Sequence, residues 1–163
     1  MIKLSDTARQ FAFKAHGSQT YGDFPYMTHL EGVVSVLQEF GFTEDYLLAA
    51  GYLHDTLEDT GVNYGDLSKI FGNNIADIVY DVTDELGKNR KERHAKTYPK
   101  TAKNPQAVIV KLADRISNVR ASAKSGDKLE MYHKEYTHFR QVLWTNNTAT
   151  QKMWAELDRL LLA

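Results

Sequence analysis

The segment GYLHDTLEDTG (residues 51–61) places one histidine and three carboxylates within six consecutive positions. The four side chains are those of His54, Asp55, Glu58 and Asp59. Carboxylates this close together repel one another, and folding gains nothing from that repulsion unless a cation lies between them. The segment therefore predicts a site for a divalent metal ion, with acids to spare for chemistry on a phosphorylated substrate.

Helix geometry predicts which of these side chains share a face. If residues 43–61 form one continuous helix, His54 and Glu58 are four positions apart, and so are Asp55 and Asp59. Side chains at i and i+4 lie on one side of a helix. We therefore expect all four to point in roughly one direction.

Two further candidates come from other predicted helices. The most apolar helix begins at Pro105 and carries Lys111, Asp114 and Asn118 as a polar line beside its apolar face. A carboxylate on so apolar a helix is costly unless it is paired or bound to a cation. His29, in the first turn of another helix, can present a neutral imidazole. Asp114 and His29 are thus candidate partners of the acidic segment.

His29, His54, Asp55 and Asp114 together predict a mixed nitrogen and oxygen site. That donor set suits Mn²⁺, Fe²⁺ or another borderline to hard divalent ion that keeps open positions for water, better than a closed structural zinc site. The two remaining acids of residues 51–61 are then free to take a proton from an attacking water.

Each candidate also has a simpler interpretation. His29 could serve only at a helix start. Asp114 could form an ion pair with Arg115 or Arg93. The remaining histidines are interpreted as surface or satisfied core residues, namely His16, His94, His133 and His138. The order H…HDxxED…D, with every member on a predicted helix, favours the metal site over these alternatives.

Composition narrows the class of protein. The chain has 163 residues with 42% hydrophobic and 25% charged residues, which is typical of one soluble globular domain over residues 1–163. A net charge of −1 predicts neither nucleic acid nor a membrane surface as partner. The chain has no cysteine, which excludes disulfides and zinc–thiolate sites and suits a reducing compartment, so we expect a cytoplasmic protein. Assembly into a homo-oligomer is compatible with this composition.

Helical periodicity runs through nearly the whole sequence, and the predicted fold class is all-α, a compact multi-helix bundle. The expected elements are, in order, a helix capped by Ser5 and ended by Gly17, a helix with a capping box from Thr28 to Glu31 and ended by Gly41, a helix capped by Thr43 and ended near Gly61, a short helix after Asp66, a helix around residues 75–82, the Pro105 helix, and one or two amphipathic helices within residues 132–162. Residues 84–104 are polar and lysine-rich, and we expect them to form a long exposed loop.

Several motifs resemble one family. AHGSQ, PYMTHLEGV, LLAAGYLHDTLEDTGV, IFGNNIADIVYDVTDE and VKLADRISNVR occur in that order, with a weaker match at HKEYTHFR. In this order the chain resembles the HD-domain hydrolases of the RelA/SpoT type, most closely the small stand-alone alarmone hydrolases such as the metazoan SpoT homologue. The resemblance covers nearly the whole chain and implies an HD-domain bundle.

The resemblance also implies roles for individual residues. The metal ligands, usually of Mn²⁺, would be His29, His54, Asp55 and Asp114. Glu58 and Asp59 match the pair that positions and deprotonates the attacking water. Asn118 and Tyr136 match residues that contact the nucleotide, and we add Lys111 as a substrate contact. The implied reaction removes pyrophosphate from the 3′ position of guanosine tetra- or pentaphosphate, leaving GDP or GTP.

The loop Thr20–Phe24 departs from the family pattern. Relatives usually carry an Arg-Lys pair there, whereas this chain has TYGDF, with no basic residue and with Tyr21 in the place of the arginine. A tyrosine ring can stack on a base but supplies no charge for phosphate. Two alternatives therefore stand beside alarmone hydrolysis, namely hydrolysis of another phosphorylated nucleotide, such as a 2′- or 3′-phosphate of an adenine dinucleotide, and a catalytically silent nucleotide-binding or partner-binding module.

The basic residues of 84–104 are a further candidate for substrate binding. They are Lys88, Arg90, Lys91, Arg93, Lys96 and Lys100. As mobile charges they could hold the other phosphates of the substrate. As a solvated charge run they would have no such role.

Overall fold

A computed structural model describes residues 1–162. The helices are α1 (Leu4–His16), α2 (Met27–Glu39), α3 (Asp45–Leu53), α4 (Thr56–Asp59), α5 (Tyr64–Phe71), α6 (Asn73–Val82), α7 (Arg90–Ala102), α8 (Pro105–Ser125), α9 (Leu129–Leu143) and α10 (Gln151–Leu161), with a 3-10 turn at Thr148–Thr150 before α10. Strands β1 (Thr20–Tyr21) and β2 (Phe24–Pro25) form a small antiparallel hairpin between α1 and α2. The all-α fold class is confirmed.

Helix α8 lies at the centre of the bundle and contacts α2, α3, α6, α7, α9 and α10. Its central position follows from its sequence, because Val110, Leu112, Ala113 and Ile116 are fully buried. Burial of such side chains contributes roughly 1.5–3 kcal/mol each for the larger ones. The core therefore fixes α8 from several sides, and with it the positions of its polar residues Lys111, Asp114 and Asn118.

Two glycines let α2 approach its neighbours closely. A Cβ added at Gly32 would lie 2.8 Å from Ser117 Oγ on α8. One added at Gly51 on α3 would lie 3.0 Å from Leu37 Cδ1 on α2. Larger side chains at these positions would push the three helices apart, and α2, α3 and α8 are the helices that carry or adjoin the predicted metal ligands.

The predicted continuous helix over residues 43–61 is wrong. Helix α3 ends at Leu53, and Asp55 leaves the helical path with φ −103° and ψ 2° before the four-residue helix α4 begins. Two side chains bond to carbonyls at the end of α3: His54 Nδ1 is 2.7 Å from Gly51 O, and Thr56 Oγ1 donates to Leu53 O at 2.7 Å. These side-chain bonds compete with the next helical turn.

The predicted N-caps are also wrong in detail. The N-cap positions are Lys3, Tyr26 and Glu44, none with a side-chain capping bond, so Ser5, Thr28 and Thr43 do not serve as caps. The first turn of α1 is instead capped from α3, because Asp45 accepts bonds from Leu4 N at 2.8 Å and from Ser5 Oγ at 2.5 Å. A contact 40 residues distant in sequence thus replaces a local cap.

The helix expected after Asp66 begins earlier. Helix α5 starts at Tyr64, Asn63 is its N-cap, and Asp66 is the third helical residue of a complete capping box. The helix around residues 75–82 is confirmed as α6. The one or two amphipathic helices expected within residues 132–162 are two, α9 and α10, and α9 begins earlier, at Leu129.

The predicted loop over residues 84–104 is wrong over most of its length. Residues 90–102 form α7, with the side chain of Asn89 accepting from Glu92 N as its N-cap. The helix buries His94, Thr97, Tyr98 and Thr101, which recur at helical spacing. Tyr98 is the one large aromatic side chain among them. Because the buried face is mostly polar, the apolar periodicity that marks the other helices is absent.

No helix within residues 1–162 combines the length and the apolar character needed to cross a bilayer.

Candidate metal centre and active site

Four of the predicted side chains converge in one cavity of about 370 Å³. His54 Nε2 lies 3.0 Å from Asp55 Oδ2 and 3.2 Å from Asp114 Oδ1. His29 Nε2 lies 3.0 Å from Asp114 Oδ1 and 3.3 Å from His54 Nε2. His29 Nε2 is also 3.5 Å from Asp55 Oδ2. The ligand atoms of His29, His54 and Asp55 all lie within 4.8 Å of one another, close enough to share one ion, and Asp114 Oδ1 adjoins both imidazoles.

Hydrogen bonds orient three of these four side chains, whereas His29 Nδ1 is buried without a hydrogen-bond partner. His54 Nδ1 lies against the Gly51 carbonyl and must donate to it, so a neutral His54 presents an unprotonated Nε2 to the centre. Tyr26 Oη donates to Asp55 Oδ2, and Asn118 Nδ2 donates to Asp114 Oδ1 at 3.1 Å. Such outer partners are typical of histidine and carboxylate metal ligands.

The electrostatics of the cluster favour a bound cation. The side chains of His29 and His54 are 2% and 3% exposed, and those of Asp55 and Asp114 are 16% and 17% exposed. Burial by itself lowers the pKa of His54, but Asp55 and Asp114 outweigh it and raise that pKa well above its usual value. The pKa of Asp114 is held well below its usual value by the two imidazoles, against the effect of burial. A buried set that attracts positive charge so strongly fits a divalent ion.

The hairpin β1–β2 lays Tyr21 over this cluster. The Tyr21 ring stacks on His29 with centroids 4.8 Å apart and an interplanar angle of 24°. Its hydroxyl donates to Asn118 Oδ1 at 2.6 Å, which orients the Asn118 amide so that Nδ2 faces Asp114. The sequence-predicted residues Tyr21 and Asn118 therefore both line the cavity, and they are linked to each other.

The two remaining acids of the segment 51–61 are separated by the break after α3. Glu58 lines the cavity, and its Oε1 accepts from Asp84 N at 2.9 Å. Desolvation at the cavity wall and the nearby carboxylates of Asp55 and Asp84 raise the pKa of Glu58, although its side chain is exposed and the Asp84 N–H opposes the shift. Asp59 does not line the cavity, and its Oδ2 accepts from Gln19 Nε2 at 3.1 Å.

Tyr136, which the sequence suggested as a nucleotide contact, does not line the cavity. It is buried farther along α9, and its hydroxyl donates to Asp158 Oδ1 at 2.5 Å. Tyr132, one turn earlier, lines the cavity instead. Lys111 lines the cavity, and its contact with a substrate stays a prediction.

Sequence reasoning missed several residues that line the cavity. They are His94 from α7, Arg115 from α8, and Lys128 and Tyr132 at the start of α9, and Arg90, which the sequence offered as a candidate, lines the same cavity. Arg90 Nε donates to Glu135 Oε2 at 2.6 Å, so one basic residue of the segment 84–104 does reach the cavity, held rather than mobile. Lys96 and Lys100 point elsewhere, to Leu86 O and Glu85.

The buried His94 predicts that the free energy of unfolding depends on pH. Burial, assisted by Arg90, lowers the pKa of His94 to about 4, against the opposing pull of Asp84 and Glu135. An unfolded histidine has a pKa of about 6.5, so between these values the unfolded chain binds a proton that the folded chain does not. The His94 contribution is therefore intact above about pH 6.5 and is lost as pH falls towards 4.

We expect the substitution His94→Gln to remove this part of the acid sensitivity. Between pH 7.5 and pH 5.0 the wild type should lose about 2 kcal/mol more free energy of unfolding than the variant. Urea denaturation at both pH values measures the difference, with His138→Gln, at an exposed site on α9, as control. Equal losses in wild type and His94→Gln would contradict a neutral buried imidazole.

Comparison with known proteins gives the family. The model of the family described as "HD domain" matches residues 8–141, and the chain belongs to that family. A guanosine-3′,5′-bis(diphosphate) 3′-pyrophosphohydrolase of Aquifex aeolicus (strain VF5) is 38% identical over 120 residues, which cover 69% of this chain and 17% of that protein. The guanosine-3′,5′-bis(diphosphate) 3′-pyrophosphohydrolase MESH1 of Drosophila melanogaster is 34% identical over 123 residues, which cover 72% of this chain and 68% of the relative.

A solved structure described as a metazoan ortholog of SpoT that hydrolyzes ppGpp superposes with a TM-score of 0.81. Its sequence is 25% identical, and the match covers 98% of this chain and 96% of that one. The chain spans only 17% of the Aquifex relative and 18% of the Escherichia coli bifunctional (p)ppGpp synthase/hydrolase SpoT, so in those proteins the match is to one part of a longer chain.

Proposed function

We propose that this protein is a metal-dependent 3′-pyrophosphohydrolase that converts guanosine tetra- or pentaphosphate to GDP or GTP and pyrophosphate, with Mn²⁺ as its ion. The observation that carries the proposal is the clustering of His29, His54, Asp55 and Asp114 in one cavity, with the carboxylate of Glu58 in the same cavity and outside the ligand set. The relatives of Aquifex and Drosophila that carry this activity in their names support the choice of substrate.

The residues of the chain divide the chemistry among them. When bound, the divalent ion supplies a Lewis acid for the phosphate charge and lowers the pKa of a water molecule. Glu58 accepts a proton from the attacking water, whose oxygen forms a bond to the phosphorus next to the 3′ oxygen. The bond from that phosphorus to the 3′ oxygen breaks, and the 3′ oxygen takes up a proton and leaves as the hydroxyl of the nucleotide.

A raised pKa suits Glu58 to this step, because a base whose pKa approaches the working pH accepts a proton more readily while it stays ionised. Asp59 does not line the cavity, so its effect on the reaction is indirect. Its bond to Gln19, whose carbonyl accepts from Tyr26 N at 3.0 Å, steadies the hairpin side of the cavity. We therefore assign Asp59 as a positioning residue.

One observation favours a second candidate, hydrolysis of a different phosphorylated nucleotide such as a 2′-phosphate of an adenine dinucleotide. The hairpin over residues 20–25 contributes Thr20, Tyr21 and Gly22 to the cavity and no positive charge. A silent binding module is disfavoured, because a binding site has no use for a free carboxylate whose pKa is raised beside the ligand.

A single assay separates these functions. Purified protein is incubated with Mn²⁺ and guanosine tetraphosphate, with NADPH and nucleoside monophosphates in parallel, and the products are resolved by ion-exchange chromatography. Release of pyrophosphate and GDP supports the proposal. Turnover of the other nucleotides alone would select the second candidate, and no turnover of any would favour the silent module.

Substitutions of Tyr21 test its contact with Asn118. Tyr21→Phe removes the hydroxyl that orients the Asn118 amide and should raise KM about 5-fold, the value of one lost hydrogen bond. Tyr21→Ala also removes the ring over His29 and should raise KM further, with a smaller effect on kcat in both variants. Steady-state kinetics at saturating Mn²⁺ measures both constants, and an unchanged KM in both variants would remove Tyr21 from the binding site.

A further inference from the structure

The part of the cavity wall formed by α7 and α8 carries positive charge. Three basic side chains from two helices line it, namely Arg90, Lys111 and Arg115, and we call these three residues the cationic end. Arg90 and Lys111 add to the effect of burial in lowering the pKa of His94, against the pull of Asp84 and Glu135. This end faces the same cavity as the carboxylates of Glu58 and Asp114.

Lys111 is buried without a matching acid. Its relative exposure is 9%, and its Nζ donates to the backbone carbonyl of Val82 at a long 3.4 Å. Within residues 1–162, no carboxylate oxygen lies within 4.0 Å of that nitrogen. Buried ammonium groups in proteins are normally paired, because removing the charge from water is costly.

Arg115 is the second buried cation with an unused donor. Its relative exposure is 3%, and its Cζ atom lies 4.9 Å from the Tyr132 ring centroid and 4.3 Å from that of Phe139. Nη2 donates to Tyr98 Oη at 3.1 Å, whereas Nη1 is buried without a hydrogen-bond acceptor. Glu135 Oε1 is 3.8 Å from Nη1, too far for a hydrogen bond.

Glu135, the carboxylate beside Arg115, is bound by Arg90 instead. Glu135 receives both of its short contacts from Arg90 Nε, at 2.6 and 3.1 Å. The donors left over at the cationic end are therefore those of Lys111 and Arg115. Two buried cations with unused donors in one cavity match an anion that presents several oxygen acceptors.

We propose that Lys111 and Arg115 form a binding site for a diphosphate group, the one that the reaction releases from the 3′ position. The inference rests on the proposed function for the identity of that group. A diphosphate carries oxygens on two phosphorus atoms, so one phosphoryl group can face the carboxylate and imidazole cluster while the other accepts from Lys111 and Arg115. Lys111 lies on α8 one helical turn before Asp114, which puts the two subsites side by side.

A titration calorimetry experiment with inorganic pyrophosphate tests the site, with Mn²⁺ present in both cell and syringe. Lys111→Met should weaken pyrophosphate binding at least about 10-fold, the loss expected for a hydrogen bond to a charged group. Lys111→Arg, which keeps the charge, should retain more of the affinity. Lys124→Met is the matched control, because it removes one lysine from an exposed position of the same helix and should leave binding unchanged.

Thermal unfolding of the same variants gives a second readout. Because an unpaired buried cation is destabilising, Lys111→Met should raise Tm by about 3 °C while it weakens binding. A lysine that served only the fold would lower Tm when removed. Unchanged pyrophosphate affinity in Lys111→Met, or binding of orthophosphate as tight as that of pyrophosphate, would overturn the diphosphate site.

Turnover of guanosine tetraphosphate by the wild type separates this inference from the proposed function. If the protein hydrolyses the alarmone but Lys111→Met binds pyrophosphate as tightly as the wild type, the diphosphate site is refuted and the proposed function stands. Pyrophosphate binding that depends on Lys111, without alarmone hydrolysis, supports the site and refutes the function.

Discussion

Replacement of His54 by alanine is expected to abolish metal binding and turnover together. His54 Nε2 lies 3.0 Å from Asp55 Oδ2 and 3.2 Å from Asp114 Oδ1, so it belongs to the innermost part of the cluster. Loss of even an outer partner of a metal ligand costs about 10–100-fold in affinity or activity. Loss of the imidazole itself should weaken Mn²⁺ binding by at least about 100-fold and reduce hydrolysis to background.

Metal content after dialysis, measured by plasma mass spectrometry, and the Mn²⁺ dependence of Tm both report on the ligand role without relying on activity. The matched control is His138→Ala, because His138 is exposed on α9 and does not line the cavity. It should keep the metal content of the wild type. A His54→Ala protein that retained one equivalent of Mn²⁺ after dialysis would contradict the proposed ligand set.

The convergence of the four side chains could be predicted because local rules were sufficient for each of them. Polar side chains on apolar helices must find partners, and His29 and Asp114 lie on helices α2 and α8, whose apolar faces are clear in the sequence. His54 and Asp55 were indicated by the high density of charged side chains in residues 54–59 rather than by helical periodicity. The residue types alone then indicated a divalent ion.

The arrangement around Asp55 could not be predicted from helical spacing. The helix break depends on His54 Nδ1 meeting the Gly51 carbonyl and on Thr56 Oγ1 meeting the Leu53 carbonyl. Extending the helix puts Asp55 and Asp59 on one face, whereas the break sends Asp59 to Gln19 at the outside of the cavity. One local error therefore misplaced one member of the predicted catalytic pair.

The arrangement of the cationic end, and Arg115 as one of its members, could not be predicted for a different reason. Its geometry depends on contacts between residues far apart in sequence, such as Arg90 with Glu135, which are 45 positions apart. A lysine-rich segment without apolar periodicity is also typical of an exposed loop, and α7 buries His94 and Tyr98 against each other rather than an apolar stripe. Burial of polar side chains through distant partners leaves little local signal.

The substitution Glu58→Gln is expected to keep the metal and lose turnover. Glu58 lies in the cavity but outside the set of four converging ligand atoms, so its amide analogue should bind one equivalent of Mn²⁺ as the wild type does. The amide has no basic oxygen to accept the proton from water. General-base catalysis contributes about 100- to 10,000-fold, so kcat should fall by roughly 1,000-fold with little change in KM.

Asp59→Asn is the matched comparison for this prediction, because it makes the same chemical change one residue along the chain. Asp59 meets Gln19 outside the cavity, so its amide analogue should lose turnover by a much smaller factor than Glu58→Gln. Single-turnover kinetics with Mn²⁺ in excess measures the chemical step directly. If Glu58→Gln hydrolysed at the normal rate while Asp59→Asn was inactive, the base would be Asp59, and α4 would have to turn in the working enzyme to bring that carboxylate into the cavity.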